Sequence, residues 1–229
     1  MGKDLINIFI AGDSTAATNY ENTFPQTGWG QMLGNFIEGP VAIKNHAMNG
    51  RSTKSFIDQG RLDAILNEIT TGDFLFIQFG HNDQKKEDPE RYTDPNTSYK
   101  DNLKQFINGA KAKGATPVLI SPVTRRNFDA NEKIINPHVG YYEAVTELAK
   151  ELDIAYIDLF IKSKSLLEEL GDEKSKELFL WLEPGKYPNF EAGITDNTHF
   201  TVKGAYEVAR LVAEGIKEEK IIPLCNMLI

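Results

Sequence analysis

Phe74-Leu75-Phe76-Ile77-Gln78-Phe79 is apolar at every position but one, and Gly80-His81-Asn82-Asp83 follows it at once. A run this short and this continuously apolar predicts a parallel strand covered on both faces, not a strand with one wet side. The same pattern recurs outward from it. Residues 5–11 form an apolar run that ends in Gly12-Asp13-Ser14-Thr15, and residues 41–47, apolar at first and polar from Lys44 to His46, are a second strand candidate that leads to Asn49-Gly50. Residues 116–121 and 155–157 supply a fourth and a fifth strand.

Helical spacing fills the intervals. In residues 28–37, Trp29, Met32, Leu33 and Phe36 recur on one face. Residues 58–69, 98–113, 138–152 and 158–170 are helical in the same way, and residues 202–217 place Val202, Ala205, Val208, Ala209 and Val212 together. Residues 84–96 and 122–137 are polar loops, and residues 171–195 show no clear period. Strands alternating with helices imply right-handed crossovers and a flavodoxin-like three-layer α/β/α sandwich around a five-stranded parallel sheet. No repeat, linker or shift of composition divides the chain, so residues 1–229 are expected to form one domain.

The 229 residues are 41% hydrophobic and 10% aromatic, enough for a large core and unlike a disordered chain. A net charge of −8 argues against a nucleic-acid surface. Cys225 is the single cysteine, which rules out an internal disulfide and fits a reducing compartment. The sequence shows neither a cleavable leader nor a membrane-spanning apolar run, so a cytoplasmic protein is expected. The apolar tail 221–229 is suited to packing on its own domain or on a second subunit, as a monomer or a homodimer.

In an open parallel sheet, ligands bind beyond the carboxyl ends of the strands. That rule gathers Asp13-Ser14, Asn49-Gly50 and His81-Asn82 at one edge. Ser14 is the candidate nucleophile, since a serine hydroxyl attacks well once a base takes its proton. His199 is the candidate base, with Asp196 three residues earlier on one turn to orient it. Gly50 and Asn82 are candidate oxyanion donors beside the Ser14 N–H: glycine permits close approach of its amide, and asparagine offers a neutral NH2. Each taken singly is also an ordinary cap or turn residue. The other histidines suit the base role less well. His46 is expected in the core or at a strand end, His81 bracing its loop, and His138 exposed at a helix start. No histidine or cysteine cluster has metal-ligand spacing and no phosphate-binding glycine loop follows the first strand, so no cofactor or metal is expected.

Together, Gly12-Asp13-Ser14, Gly50, Gly80-x-Asn82-Asp83 and Asp196-x-x-His199 resemble the blocks of the SGNH (GDSL-type) hydrolase superfamily, in order and across nearly the whole chain. Thr15 departs from the leucine of many relatives. With Gly28-Trp29-Gly30, Gln78-Phe79-Gly80-His81-Asn82-Asp83 and Pro122-Val123-Thr124-Arg125-Arg126, that departure resembles the rhamnogalacturonan acetylesterase branch. The resemblance implies a serine esterase that removes acetyl groups from pectic sugars through an acetyl-enzyme. Acetylated xylan or another acetylated oligosaccharide is an alternative substrate. A lipase-like or lysophospholipase activity, or a carbohydrate-binding protein on a hydrolase scaffold, is an alternative function. Arg125 and Arg126 are candidates to pair with a galacturonate carboxylate. Trp181, Tyr187 and Phe190 are candidates to stack on sugar rings, or else to form a hydrophobic cluster under the loop.

Overall fold

The computed structural model describes residues 5–229. Strand β1 (Ile6–Gly12) runs into the Asp13–Ser14 turn, and a short helix α1 (Trp29–Met32) follows, continued as a 3-10 turn over Leu33–Phe36. Next come β2 (Val41–Asn45), helices α2 (Thr53–Asp58) and α3 (Arg61–Glu68), and β3 (Phe74–Gln78). Then α4 (Ser98–Ala112), β4 (Thr116–Ile120), α5 (Tyr141–Glu151), β5 (Ala155–Ile157) and α6 (Leu159–Ser175) complete the alternating part. A two-stranded ribbon, β6 (Phe179–Leu182) and β7 (Ile194–Phe200), precedes the last long helix α7 (Val202–Glu218).

The five-stranded sheet is parallel in every pairing and ordered β2-β1-β3-β4-β5. Every residue of β3 is buried, as its unbroken apolar run predicts for the middle of a covered sheet. Alternate side chains feed two cores. Ile6, Ile8, Ile10, Phe74, Phe76, Val118 and Ile120 pack under α1, α6 and α7, while Phe9, Ala11, Leu75, Ile77 and Leu119 pack under α2, α3, α4 and α5. This is the three-layer α/β/α arrangement expected from the sequence. The chain winds from β1 outward to β2, then crosses back to β3 on the other side of β1. The crevice for a ligand therefore opens between the carboxyl ends of β1 and β3.

Several details differ from expectation. The predicted helix over residues 58–69 is two helices, because Gly60 takes a left-handed conformation (φ 69°) between them. The helix predicted to end at residue 170 runs on to Ser175 past a break at Gly171. The unread stretch 171–195 holds β6 and the start of β7, an antiparallel ribbon outside the main sheet. The apolar tail packs on its own chain: Glu38 N donates to Met227 O (2.7 Å), Ile229 N donates to Phe36 O (3.2 Å), and Leu224 is fully buried. Among the described residues, no helix is long and apolar enough to cross a membrane.

Candidate active site

Ser14 sits in the turn that leaves β1, and its side chain is buried at the edge of the crevice. Asp13 shapes that turn. Its Oδ1 accepts from Thr15 N (2.9 Å) and from Thr15 Oγ1 (2.7 Å), while Ala16 N donates to Asp13 O (3.2 Å). Thr15, the departure from the family pattern, is thus a buried brace for the residue before the serine. Gln78, at the end of β3, accepts from Trp29 Nε1 (2.9 Å) and ties α1 to the same corner.

His199 and Asp196 come from β7. The turn expected to hold the two together is a bulge of the ribbon. Between the pairs Phe179↔Phe200 and Trp181↔Thr195, β6 advances two residues while β7 advances five. The surplus swings residues 196–199 out of the ladder and re-aims their side chains. Asp196 fixes the bulge from within, its Oδ1 accepting from Thr198 N (2.6 Å) and His199 N (3.0 Å). Its Oδ2 faces His199 Nδ1 at 2.6 Å, and His199 Nε2 lies 2.9 Å from Ser14 Oγ. A carboxylate at Nδ1 holds that proton, which leaves Nε2 as an acceptor for the serine hydroxyl. Burial alone raises the Asp196 pKa. The His199 hydrogen bond and charge and the two backbone N–H groups outweigh it, and bring the carboxyl down to about 2.

Ser14, His199, Gly50 and Asn82 line one pocket of about 410 Å³. Gly50 takes a left-handed backbone (φ 77°), which glycine adopts without strain. Among the described residues, the N–H groups of Ser14 and Gly50 donate to no protein acceptor. Asn82 Nδ2 donates to Arg51 O (3.0 Å), which fixes the amide and leaves its second proton unassigned.

The remaining wall is cationic. Lys85, Arg91 and Arg125 line the pocket, and the carboxylates of Asp196, Asp88 and Asp13 stand behind its lining residues His199, Arg91 and His81. Burial and the charges of Arg91 and Arg125 hold Lys85 below the usual lysine range, and burial lowers Arg125. Arg91 is anchored by Asp88 (2.5 Å), whereas the buried Nε of Arg125 has no partner. Sequence reasoning singled out Arg125 but missed Lys85 and Arg91. The signal for those two was their place on the polar loop leaving the carboxyl end of the central strand.

Four of the substrate-contact candidates are not in this pocket. Arg126 is buried behind the ribbon, donating to Asp172 Oδ1 (2.5 Å), Ser175 Oγ (3.1 Å) and Asn197 Oδ1 (3.1 Å). Its backbone N donates to Asn197 O (2.9 Å), so it clamps the bulge that carries Asp196 and His199. Trp181 covers that guanidinium at 4.6 Å and donates to Asn197 Oδ1 (2.8 Å). Tyr187 packs on Phe24 (5.9 Å between centroids), and Phe190 belongs to a 3-10 turn.

Behind the pocket lies a buried polar layer. His81 lines the pocket and faces Asp13 Oδ2 (Nδ1 3.3 Å). Burial lowers its pKa, and the same contact holds Asp13 below its usual value against its own desolvation. His138 is not exposed as expected but completely buried. Its Nε2 lies 3.1 Å from Val123 O, the Gln84 amide nitrogen faces its Nδ1 at 3.0 Å, and its ring meets His81 edge-on. Burial pushes its pKa well down. His46 stands at the end of β2 beside Phe9, away from the site. Asp83 Oδ1 accepts from Thr53 N (3.0 Å), Thr53 Oγ1 (2.5 Å) and Thr93 Oγ1 (3.0 Å), joining β3 to α2 and to the loop that carries Lys85 and Arg91. Burial nonetheless raises its pKa to about 7.

A parallel sheet with a serine after its first strand and a histidine–aspartate pair just ahead of its last helix defines an ester-hydrolase class. The GDSL-like Lipase/Acylhydrolase family model matches residues 8–212, and the chain belongs to that family of carboxylic ester hydrolases. It is 48% identical over 229 residues to the rhamnogalacturonan acetylesterase RhgT of Bacillus subtilis strain 168, covering all of this chain and 97% of the relative. The crystal structure of Bacillus subtilis YxiM superposes with a TM-score of 0.78 at 28% identity, covering 95% of this chain; the chain spans 58% of that longer protein. The acetylxylan esterase Axe2 of Geobacillus stearothermophilus shares the fold, with a TM-score of 0.67 at 15% identity over 94% of this chain and 95% of that one.

Proposed function

We propose that the protein removes O-acetyl groups from acetylated rhamnogalacturonan by way of an acetyl-serine. One observation carries the reading: the aligned Ser14–His199–Asp196 array opens into a pocket whose other charged walls are Lys85, Arg91 and Arg125. An acetyl ester on a uronic acid brings a carboxylate close to the reacting carbonyl, and three cations suit that anion. The relative RhgT carries the same substrate in its name.

In this reading His199 Nε2 takes the proton of Ser14 Oγ as the oxygen attacks the acetyl carbonyl. The oxyanion meets the N–H groups of Ser14 and Gly50 and the Asn82 amide. As the tetrahedral intermediate collapses and its bond to the sugar oxygen breaks, His199 passes its proton to that departing oxygen, which leaves as the free hydroxyl. Water then attacks the acetyl-serine, gives a proton to His199, and the returning proton restores Ser14 as acetate leaves. Asp196 holds Nδ1–H throughout and stabilises the imidazolium.

The test is acetate release from acetylated rhamnogalacturonan oligosaccharides and from acetylxylan, with wild type and Ser14→Ala. Release from the pectic substrate that vanishes in the variant is expected. Ser14-dependent release from xylan alone refutes the substrate, and Ser14-independent release refutes the mechanism.

A further inference from the structure

Beside the Ser14 pocket lies a larger open groove of about 870 Å³. Gln26 lines both spaces. Asn49, on the pocket wall, donates through Nδ2 to Asn19 Oδ1 on the groove wall (2.9 Å). Thr27, also in the groove, forms a β-bridge with Phe200, the residue after His199. The groove therefore begins where the pocket ends.

The two spaces differ in chemistry. Three cations line the pocket, whereas among the described residues Glu21 is the one charged side chain on the groove wall. Two rings stand out from that wall, Tyr20 at 73% exposure and Phe24 at 50%. They are braced: Asn189 Nδ2 donates to Glu21 O (2.7 Å) and Phe24 O (3.0 Å), and Tyr187 backs Phe24. The Gln26 side chain makes no hydrogen bond within the described residues. Exposed, braced rings beside a free amide form a surface that is apolar in the middle and polar at the junction.

We propose that this groove binds the uncharged sugars flanking the acetylated residue, seating a 6-deoxyhexose against Tyr20 and Phe24. The proposal rests on the reading of the Ser14 pocket as the site that deacetylates a uronate-bearing polymer. A deoxyhexose offers a C–H face and a methyl group to the rings and hydroxyl edges to Gln26. The alternation of charged and uncharged units along rhamnogalacturonan matches a cationic pocket joined to a groove that, among the described residues, has no cation and a single carboxylate, Glu21, on its wall. An acyl chain gains most from an enclosed apolar slot, and these rings stand open to solvent.

The experiment compares kcat/KM of wild type, Tyr20→Ala, Phe24→Ala and Tyr20→Phe on acetylated rhamnogalacturonan oligosaccharides, p-nitrophenyl acetate and p-nitrophenyl octanoate. The ratio of oligosaccharide to p-nitrophenyl acetate activity is expected to fall about tenfold in each alanine variant, or about 1.4 kcal/mol, mainly through KM. Tyr20→Phe is expected to keep the ratio. A ratio within twofold of wild type overturns the proposal. So does a loss confined to the octanoate, which assigns the groove to an acyl chain, or a change of oligomeric mass with no change of ratio, which assigns it to a second copy. Calorimetric titration with deacetylated rhamnogalacturonan oligosaccharide reads the groove without catalysis. Weaker binding by Tyr20→Ala supports it even if the wild type fails to release acetate, a failure that refutes the functional reading instead. Equal binding overturns it.

Discussion

Replacing Asp83 by asparagine should stabilise the protein above neutral pH while leaving its stability near pH 4 almost unchanged. The carboxyl is completely buried, its Oδ1 already accepts from Thr53 and Thr93, and its Oδ2 has no partner. Burial raises its pKa from 3.8 to about 7. In the unfolded chain the same group ionises near 3.8, so between about pH 4 and pH 7 the folded state holds a proton that the unfolded state has released. Stability then falls as pH rises through that window and levels off above it. The displacement corresponds to about 4 kcal/mol at 1.36 kcal/mol per pKa unit. Asparagine keeps the acceptor for all three donors and never ionises, so the variant should gain on the wild type by about 4 kcal/mol from pH 4 to pH 8. Urea unfolding of both proteins at intervals across that range measures the gain. A variant that instead loses ground as pH rises would show that the three donors hold Asp83 ionised, and the argument from burial would be wrong.

Asp196→Asn preserves shape but presents an NH2 to His199 Nδ1 and so favours the wrong tautomer; kcat on p-nitrophenyl acetate should fall by about 10⁴, and a loss under tenfold would remove Asp196 from the mechanism. Arg125→Met should lower kcat/KM on acetylated galacturonate-containing substrates by about tenfold to a hundredfold, with a far smaller effect on acetylxylan; equal losses on both would exclude a carboxylate contact. Arg126→Ala removes the clamp on Asn197 and should cost about 3 kcal/mol in urea unfolding together with a fall in kcat at little change in KM. Full activity with an unchanged midpoint would show that the bulge holds itself.

The strand runs and the blocks after them were legible because strand ends are marked locally, by an apolar run stopped at a glycine or a polar turn. Ser14 followed from that placement, and Asp196 and His199 from their three-residue spacing just ahead of the last helix. The β6–β7 ribbon was not legible: β7 reads Ile-Thr-Asp-Asn-Thr-His-Phe, and its bulge breaks the period of two by which strands are recognised. Arg125 and Arg126 show another limit. They are neighbours in sequence, yet one lines the pocket and the other is buried behind the ribbon, a division made by helix α6 and Trp181 contacts far along the chain. His138 was misplaced for a similar reason. A residue after proline at a helix start looks exposed until Gln84 and Val123 close over it.

The serine and the histidine stand on separate foundations: Ser14 on the central sheet, His199 on a two-stranded ribbon outside it. Asp196 and His199 move as one unit, because the carboxylate grips both the ring and the backbone of the bulge. Ser14 does not share that unit. A local opening of the ribbon would therefore separate base from nucleophile while the sheet stayed intact. Phe179 and Phe200 of the ribbon are seated in the same core as Ile8 and Ile10, so only if that seat gives way before the sheet is activity expected to be lost on heating ahead of global melting, and to return on cooling by re-docking of the ribbon.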